Sequence, residues 1–314
     1  MQELDDRLNR AREKSWLRFG RQITFYLPGM FTYDGLRGKY PAISITGSRC
    51  VLQCEHCQGR TLDGMISAGS SDSLLETCLR LAEKGSQGVL ISGGCDEEGR
   101  LPWKDVIPAI GEGKRRTDLY VSIHCGFIDF QTARRLKESG VDEALIDVIG
   151  DDQTYQRIYH LRSGVSRIEQ SLAALQEADM PVVPHIVCGL HYGQMKGERK
   201  AVEMISRFQV RRVVVVSLMG IPGTPLWGTS PPEPGEIADI IAETRFKVPE
   251  AHISLGCARQ RGNVSIETLA IDAGVNRMAI PSEEAIRHAG RYGLEIRYQK
   301  TCCSVSRDFS SGNW

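Results

Sequence analysis

Cys50, Cys54 and Cys57 stand as Cys-x-x-x-Cys-x-x-Cys in the stretch Ile45-Thr46-Gly47-Ser48-Arg49-Cys50-Val51-Leu52-Gln53-Cys54-Glu55-His56-Cys57. They follow an alternating apolar run, Ala42-Ile43-Ser44-Ile45, that reads as a strand. Three thiolates on one short loop suit three irons of a four-iron cluster and leave the fourth iron open. A closed cluster only stores electrons, whereas an open iron can bind and transform a ligand. A zinc site needs a fourth ligand at tetrahedral geometry. His56 sits between two of the cysteines, too close in sequence to supply one easily. Ferredoxin-type spacings carry four cysteines rather than three. A disulfide framework suits small secreted domains, not a chain of 314 residues.

Other reactive residue types gather near the ends of expected strands. Gly93 and Gly94, in Ser92-Gly93-Gly94-Cys95-Asp96, permit close backbone approach, so their carbonyls can meet an ammonium group. Asp147 closes another apolar run; it reads either as an acceptor for ribose hydroxyls or as a cap for the next helix. Arg162 suits a carboxylate partner, though an exposed surface arginine is an equal reading. His185 reads as a lumen-facing group or as a buried, hydrogen-bonded histidine. Cys257 follows a strand, and Cys302-Cys303 lie near the end of the sequence. Vicinal cysteines bridge each other poorly, so these three are expected to fold over an opening and help bind a second iron–sulfur cluster. Core packing and redox pairing are the alternatives. Cys95, Cys125 and Cys188 are reserve ligands, and Cys78 reads as helix core.

The elements that must position these groups alternate along the chain. Strands are expected at 41–46, 89–92, 119–124, 144–148, 182–187, 212–218, 252–255 and 277–280. Helices are expected at 71–84, 104–112, 130–139, 166–178, 200–208, 234–246, 266–273 and 283–292. Eight such units predict an α/β fold, a parallel (β/α)8 TIM-type barrel, with an open doubly wound sheet as the alternative. The expected organisation is an N-terminal helical extension (1–38), the barrel (39–295) and a C-terminal Cys-containing tail (296–314). In such a barrel the chemistry belongs at the C-terminal ends of the strands.

The cysteine spacing after a first strand resembles that of the radical S-adenosylmethionine (SAM) enzymes, and among them the biotin-synthase-like proteins. The resemblance extends from Pro41 to Cys303 and includes Pro222-Gly223-Thr224-Pro225-Leu226, a turn found in biotin and lipoyl synthases. It implies a [4Fe-4S] cluster on Cys50, Cys54 and Cys57, SAM on the open iron, and reductive cleavage to a 5′-deoxyadenosyl radical. It further implies SAM contacts from Gly93, Gly94, Asp147 and Arg162, with Gly189 against adenine. Family members carry a Gly-Gly-Glu type motif where this chain has Gly94-Cys95-Asp96.

The two-protein lipoyl synthases are the subfamily it resembles most. That implies sulfur insertion into an octanoylated carrier protein, a second radical SAM subunit and a flavodoxin- or ferredoxin-type electron donor. Unlike single-chain lipoyl synthase, this chain has no cysteine before Cys50. A carbon-skeleton or methylation enzyme of cofactor assembly, or a non-catalytic iron–sulfur scaffold or electron carrier, are the other readings. A formal net charge of zero gives no electrostatic footprint for nucleic acid or an anionic membrane. With no apolar run near the ~20 residues of a membrane span, a cytoplasmic protein is expected.

Overall fold

Val- and Ile-rich runs closed by Gly or Pro fold as parallel strands buried on both faces. The computed structural model describes residues 2–33 and 35–310. Helix α1 (Gln2–Phe19) leads into β1 (Gln22–Tyr26), then into an antiparallel ribbon of β2 (Thr32–Tyr33) and β3 (Leu36–Arg37). β4 (Ala42–Ser44) precedes the cysteine loop, and β5 (Ile66–Ser67) follows it and pairs with β4. Strand and helix then alternate. They run α2 (Ser71–Glu83), β6 (Gly88–Ser92), α3 (Ile107–Arg116), β7 (Tyr120–His124), α4 (Phe130–Glu138) and β8 (Glu143–Asp147). Next come α5 (Asp152–Ile158), α6 (Val165–Glu177), β9 (Val182–Cys188), α7 (Glu198–Ile205) and β10 (Arg212–Ser217). α8 (Pro234–Lys247), β11 (His252–Leu255), α9 (Val264–Asp272), β12 (Arg277–Ala279), α10 (Glu283–Arg291) and β13 (Glu295–Gln299) complete the order.

The main sheet runs β13-β1-β12-β11-β10-β9-β8-β7-β6-β4-β5, with every neighbouring pair parallel. It curls on itself: the Lys39 N–H donates to the Lys300 carbonyl at 2.6 Å, joining the end of β13 to the lead-in of β4. The expected β/α units are thus present as a barrel, with β1 and β13 added between its last and first strands. This moves the expected boundaries. Segment 1–38 carries a helix but also β1, and β13 begins just before the segment assigned to the tail. α1 packs on α8 through Arg7, whose Nε donates to Asp239 at 2.5 Å, and Ser15 Oγ donates to the Gly274 carbonyl at 2.6 Å.

Period-two alternation divides each strand between two cores. Ile43, Ile91, Ile123, Ile146 and Ile186 pack outward under the helices. Tyr26, Leu145, Val183, Val214 and Ala279 face a separate inner core, and Cys303 is seated among them. The segment after β13 was expected to fold over the mouth; instead it fills the lumen. Thr301, Cys303, Ser304 and Val305 are buried. Ser254 Oγ donates to the Cys303 carbonyl at 3.2 Å, and Arg277 Nη2 to that of Val305 at 2.6 Å. Small inward residues on the strands, Ser122, Ser254 and Ala279, leave room for it. The segment ends at the opposite face, where Glu143 accepts hydrogen bonds from Ser306 N (3.1 Å) and Oγ (2.5 Å). No described helix is long and apolar enough to cross a membrane.

Candidate active site

The loop after β4 is held from three sides. Val51 N donates to the Cys95 carbonyl at 2.8 Å, and Glu55 N to that of Ile158 at 2.8 Å. Cys57 N and Gln58 N both donate to the Cys54 carbonyl, while Gln53 and Gln58 adopt φ values of 46° and 44°. Cys54 and Cys57 are buried and Cys50 is half-buried. A hydrogen bond from the Cys54 thiol, joined by His56 and the Gly59 N–H, draws the Cys57 thiol down to about 4. The loop thus favours thiolate at Cys57, while the Cys54 thiol that donates to it is pushed well above its ordinary value. Among the described residues no three Cys, His, Asp or Glu side chains converge as they would around one metal ion. A four-iron cluster asks for one thiolate per iron instead, and three buried or half-buried thiols on one restrained loop fit it.

Gly93 and Gly94 lie directly against this loop. A Cβ on Gly94 would strike the backbone of Arg49 and Cys50, and one on Gly93 would crowd Ile45 and Thr46 at 3.1–3.2 Å. Gly94 N donates to Thr46 Oγ1 at 2.7 Å. Close packing therefore demands glycine at Gly94, whatever its carbonyl later binds. Two further loops reach the same place. Tyr192, after β9, donates its hydroxyl to Glu55 at 2.7 Å, and Gly223, after β10, abuts the Arg60 guanidinium.

Asp147 ends β8 and does not cap α5; Asp151 does, accepting from Thr154 N at 2.8 Å. Asp147 instead faces His124, at the end of β7, with Oδ1 3.5 Å from Nε2. Burial pushes its carboxyl up, but His124, His185 and His56 outweigh burial and hold it near about 2. His185 lies beside His124, ring centroids 5.8 Å apart, and its Nδ1 meets the Val183 carbonyl at 3.0 Å. Burial holds His185 down at about 4; in His124 the attraction of Asp147 overcomes burial and raises it. Sequence reasoning passed over His124 as a site residue, although it occupies the strand-end position equivalent to Asp147 in the next strand.

The remaining candidates separate. Arg162 lies exposed between α5 and α6, its carbonyl accepting from Gln156 Nε2 at 3.0 Å. Gly189 turns with φ 74° after β9, and its N–H is committed to Glu198 Oε1 at 2.8 Å. Cys125 and Cys188 are wholly buried on the outer, helix-covered side of the sheet, which removes them as lumen ligands. Cys95 stays close enough to Cys50 for the two charges to interact, and burial pushes it to about 12. Cys257, Cys302 and Cys303 do come together in the inner core. The Cys303 thiol, with Ser304 and Arg277, draws Cys302 down to about 6, while burial and Cys302 push Cys257 up to about 11. Arg259, fully buried, ties the Cys257 loop down by donating to the Gly256 carbonyl (2.5 Å) and Glu267 (2.5 Å).

A curled parallel barrel with a three-cysteine loop, a glycine pair and a His–Asp cluster at its C-terminal mouth has the parts of an iron–sulfur barrel protein. Residues 44–202 match the Radical SAM superfamily, and the chain belongs to it. It is similar to a biotin synthase of Halorhodospira halophila, 27% identical over 252 residues, covering 75% of this chain and 73% of that protein. A biotin synthase of Chromohalobacter salexigens is 29% identical over 154 residues, 48% of this chain and 41% of that one. Two other matched biotin synthases are spanned over about half their length. In fold it resembles methylornithine synthase (PylB), TM-score 0.65 at 16% identity, covering 94% of this chain and 89% of that one. The hydrogenase maturase HydG gives TM-score 0.67 at 13% identity, covering 94% and 68%.

Proposed function

We propose that this radical SAM protein inserts sulfur into an octanoyl chain, as one component of a two-protein lipoyl synthase. The family's cofactor pair supplies, when bound, a carbon-centred radical able to take hydrogen from an unactivated carbon. Cys50, Cys54 and Cys57 hold the cluster; Gly93, Gly94 and Asp147 are the groups at the mouth nearest to it that suit SAM. Sulfur insertion needs, beyond that radical, a sulfide source within its reach. The observation that carries the reading is the meeting of Cys257, Cys302 and Cys303 in the inner core, with Cys302 near enough to His124 for its charge to act there. These three residues hold the donor cluster. Similarity to biotin synthases supports the same chemistry. The acyl chain arrives on a carrier protein, a second radical SAM subunit completes the reaction, and electrons come from a flavodoxin- or ferredoxin-type donor.

Iron and sulfide counts after oxygen-free reconstitution test the donor cluster. About eight irons are expected per wild-type chain, falling to about four in Cys302→Ala/Cys303→Ala, at four irons per cubane. About four in both proteins would remove the donor cluster, and sulfur insertion with it.

A further inference from the structure

The barrel has a cavity at its N-terminal end, opposite the mouth, which none of the chemistry above uses. It measures about 160 Å³, well beyond the ~10–15 Å³ that a single water needs. Arg212 and Arg277, the first residues of β10 and β12, line it with Arg297 of β13 and Arg307 of the lumen segment. His252 at the start of β11 joins them, and Asp308 is the only acid among the described lining residues. Asp308 is already engaged, accepting from Gln299 Nε2 and Ser310 N at 2.8 Å each. Glu143, close by, is engaged by Tyr120 and Ser306.

The guanidinium groups keep unused donors. Arg212 donates from Nη1 and Nη2 to Ser306, at 2.7 and 3.0 Å, while its Nε has no partner. Arg277 donates from Nε to Tyr26 Oη at 2.7 Å and from Nη2 to the Val305 carbonyl at 2.6 Å. Its Nη1 has no partner, although the residue is only 6% exposed. Both atoms are shut off from solvent, as are the unpartnered Nε atoms of Arg12, Arg245 and Arg259, so the capacity that faces the cavity lies in the second hydrogens of Arg212 Nη1 and Nη2 and in Arg297 and Arg307. The field is positive as well: burial and then Arg277, Arg212 and Arg245 hold His252 down at about 4.

We propose that this cavity is a binding site for a phosphate-type oxyanion, free or as the terminal group of a small metabolite, received by Arg212, Arg297 and Arg307, with the charge of buried Arg277 behind them. Guanidinium forks match tetrahedral oxyanions in geometry and charge. One wall of the cavity is the segment Ser306-Arg307-Asp308, so a bound anion clamps the strand of chain that carries Cys302 and Cys303. Arginines that merely anchored this segment would be content with Ser306, Val305 and Tyr26, and would show no response to an anion.

Thermal unfolding of the reconstituted full chain, with SAM saturating and ionic strength fixed by chloride, tests this. Inorganic phosphate, sulfate and glycerol phosphate are titrated separately. A saturable rise in Tm is expected with phosphate and sulfate, as for any ligand that binds only the folded state; a tighter response to glycerol phosphate identifies a phosphorylated metabolite as the source. Arg212→Gln abolishes the response. Should that variant not fold, Arg297→Gln/Arg307→Gln decides, since Arg307 is exposed and Arg297 only half-buried; it weakens binding at least about tenfold, ~1.4 kcal/mol. A response no larger than that to chloride, or a saturable one unchanged in the double variant, overturns the proposal.

Discussion

Asp147 stands among three imidazoles at the mouth, and its charge is the reason His124 binds a proton more readily than burial alone would allow. If the carboxylate accepts from ribose hydroxyls, Asp147→Asn keeps the shape and loses a charge-assisted acceptor. We expect SAM to bind about tenfold more weakly, ~1.4 kcal/mol, measured by equilibrium dialysis. Unchanged affinity would confine Asp147 to fixing His124. That Cys50, Cys54 and Cys57 share one loop was legible because it is written in local spacing. The reserve ligands were not: His124 faces the lumen, so Cys125 must face outward. Proximity to a strand end says nothing about which side of the sheet a thiol occupies.

At the scale of elements, the cysteine loop and the β6 loop form one unit, because Gly94 leaves no space between its Cα and the Cys50 backbone. Gly94→Ala forces those loops apart without touching the barrel's inner or outer core. We expect near-normal far-UV circular dichroism but loss of most of the iron bound at the three-cysteine site; full iron retention would contradict the packing argument. The barrel strands were readable as apolar runs, matching the expected bounds within two residues. β1 and β13 were not. β13, Glu295-Ile296-Arg297-Tyr298-Gln299, turns Arg297 and Gln299 toward a polar cavity, so it lacks the hydrophobic signal of a barrel strand. β1 follows α1 after only a short turn and finds its partners, β12 and β13, at the far end of the chain. Neither pairing leaves a local trace.

Across the whole molecule, the lumen segment couples the two ends of the barrel, with cysteines toward the mouth and Ser306 on Glu143 at the opposite face. Burial pushes the Glu143 carboxyl up to about 7, against the pull of Ser306, Tyr120 and Arg212. Its unfolded value is ~4.3, so its contribution is fully present below that pH and is lost as pH rises through about 7. Glu143→Gln, which mimics the protonated group, should flatten the fall in stability across that window in urea unfolding. A wild-type slope in the variant would place the titration elsewhere. That the chain threads its own barrel was not legible, since Thr301-Cys302-Cys303-Ser304-Val305 reads equally well as a mobile tail; only small inward residues scattered over distant strands make room for it.

The central claim is that the open iron at the mouth does chemistry on SAM. The most direct measurement is 5′-deoxyadenosine formed from SAM by the reduced, reconstituted protein without oxygen. We predict its formation by wild type and its loss in Cys57→Ala. A fully loaded cluster that yields no 5′-deoxyadenosine, with or without the proposed acyl carrier and partner subunit, would contradict the account and leave a non-catalytic iron–sulfur protein.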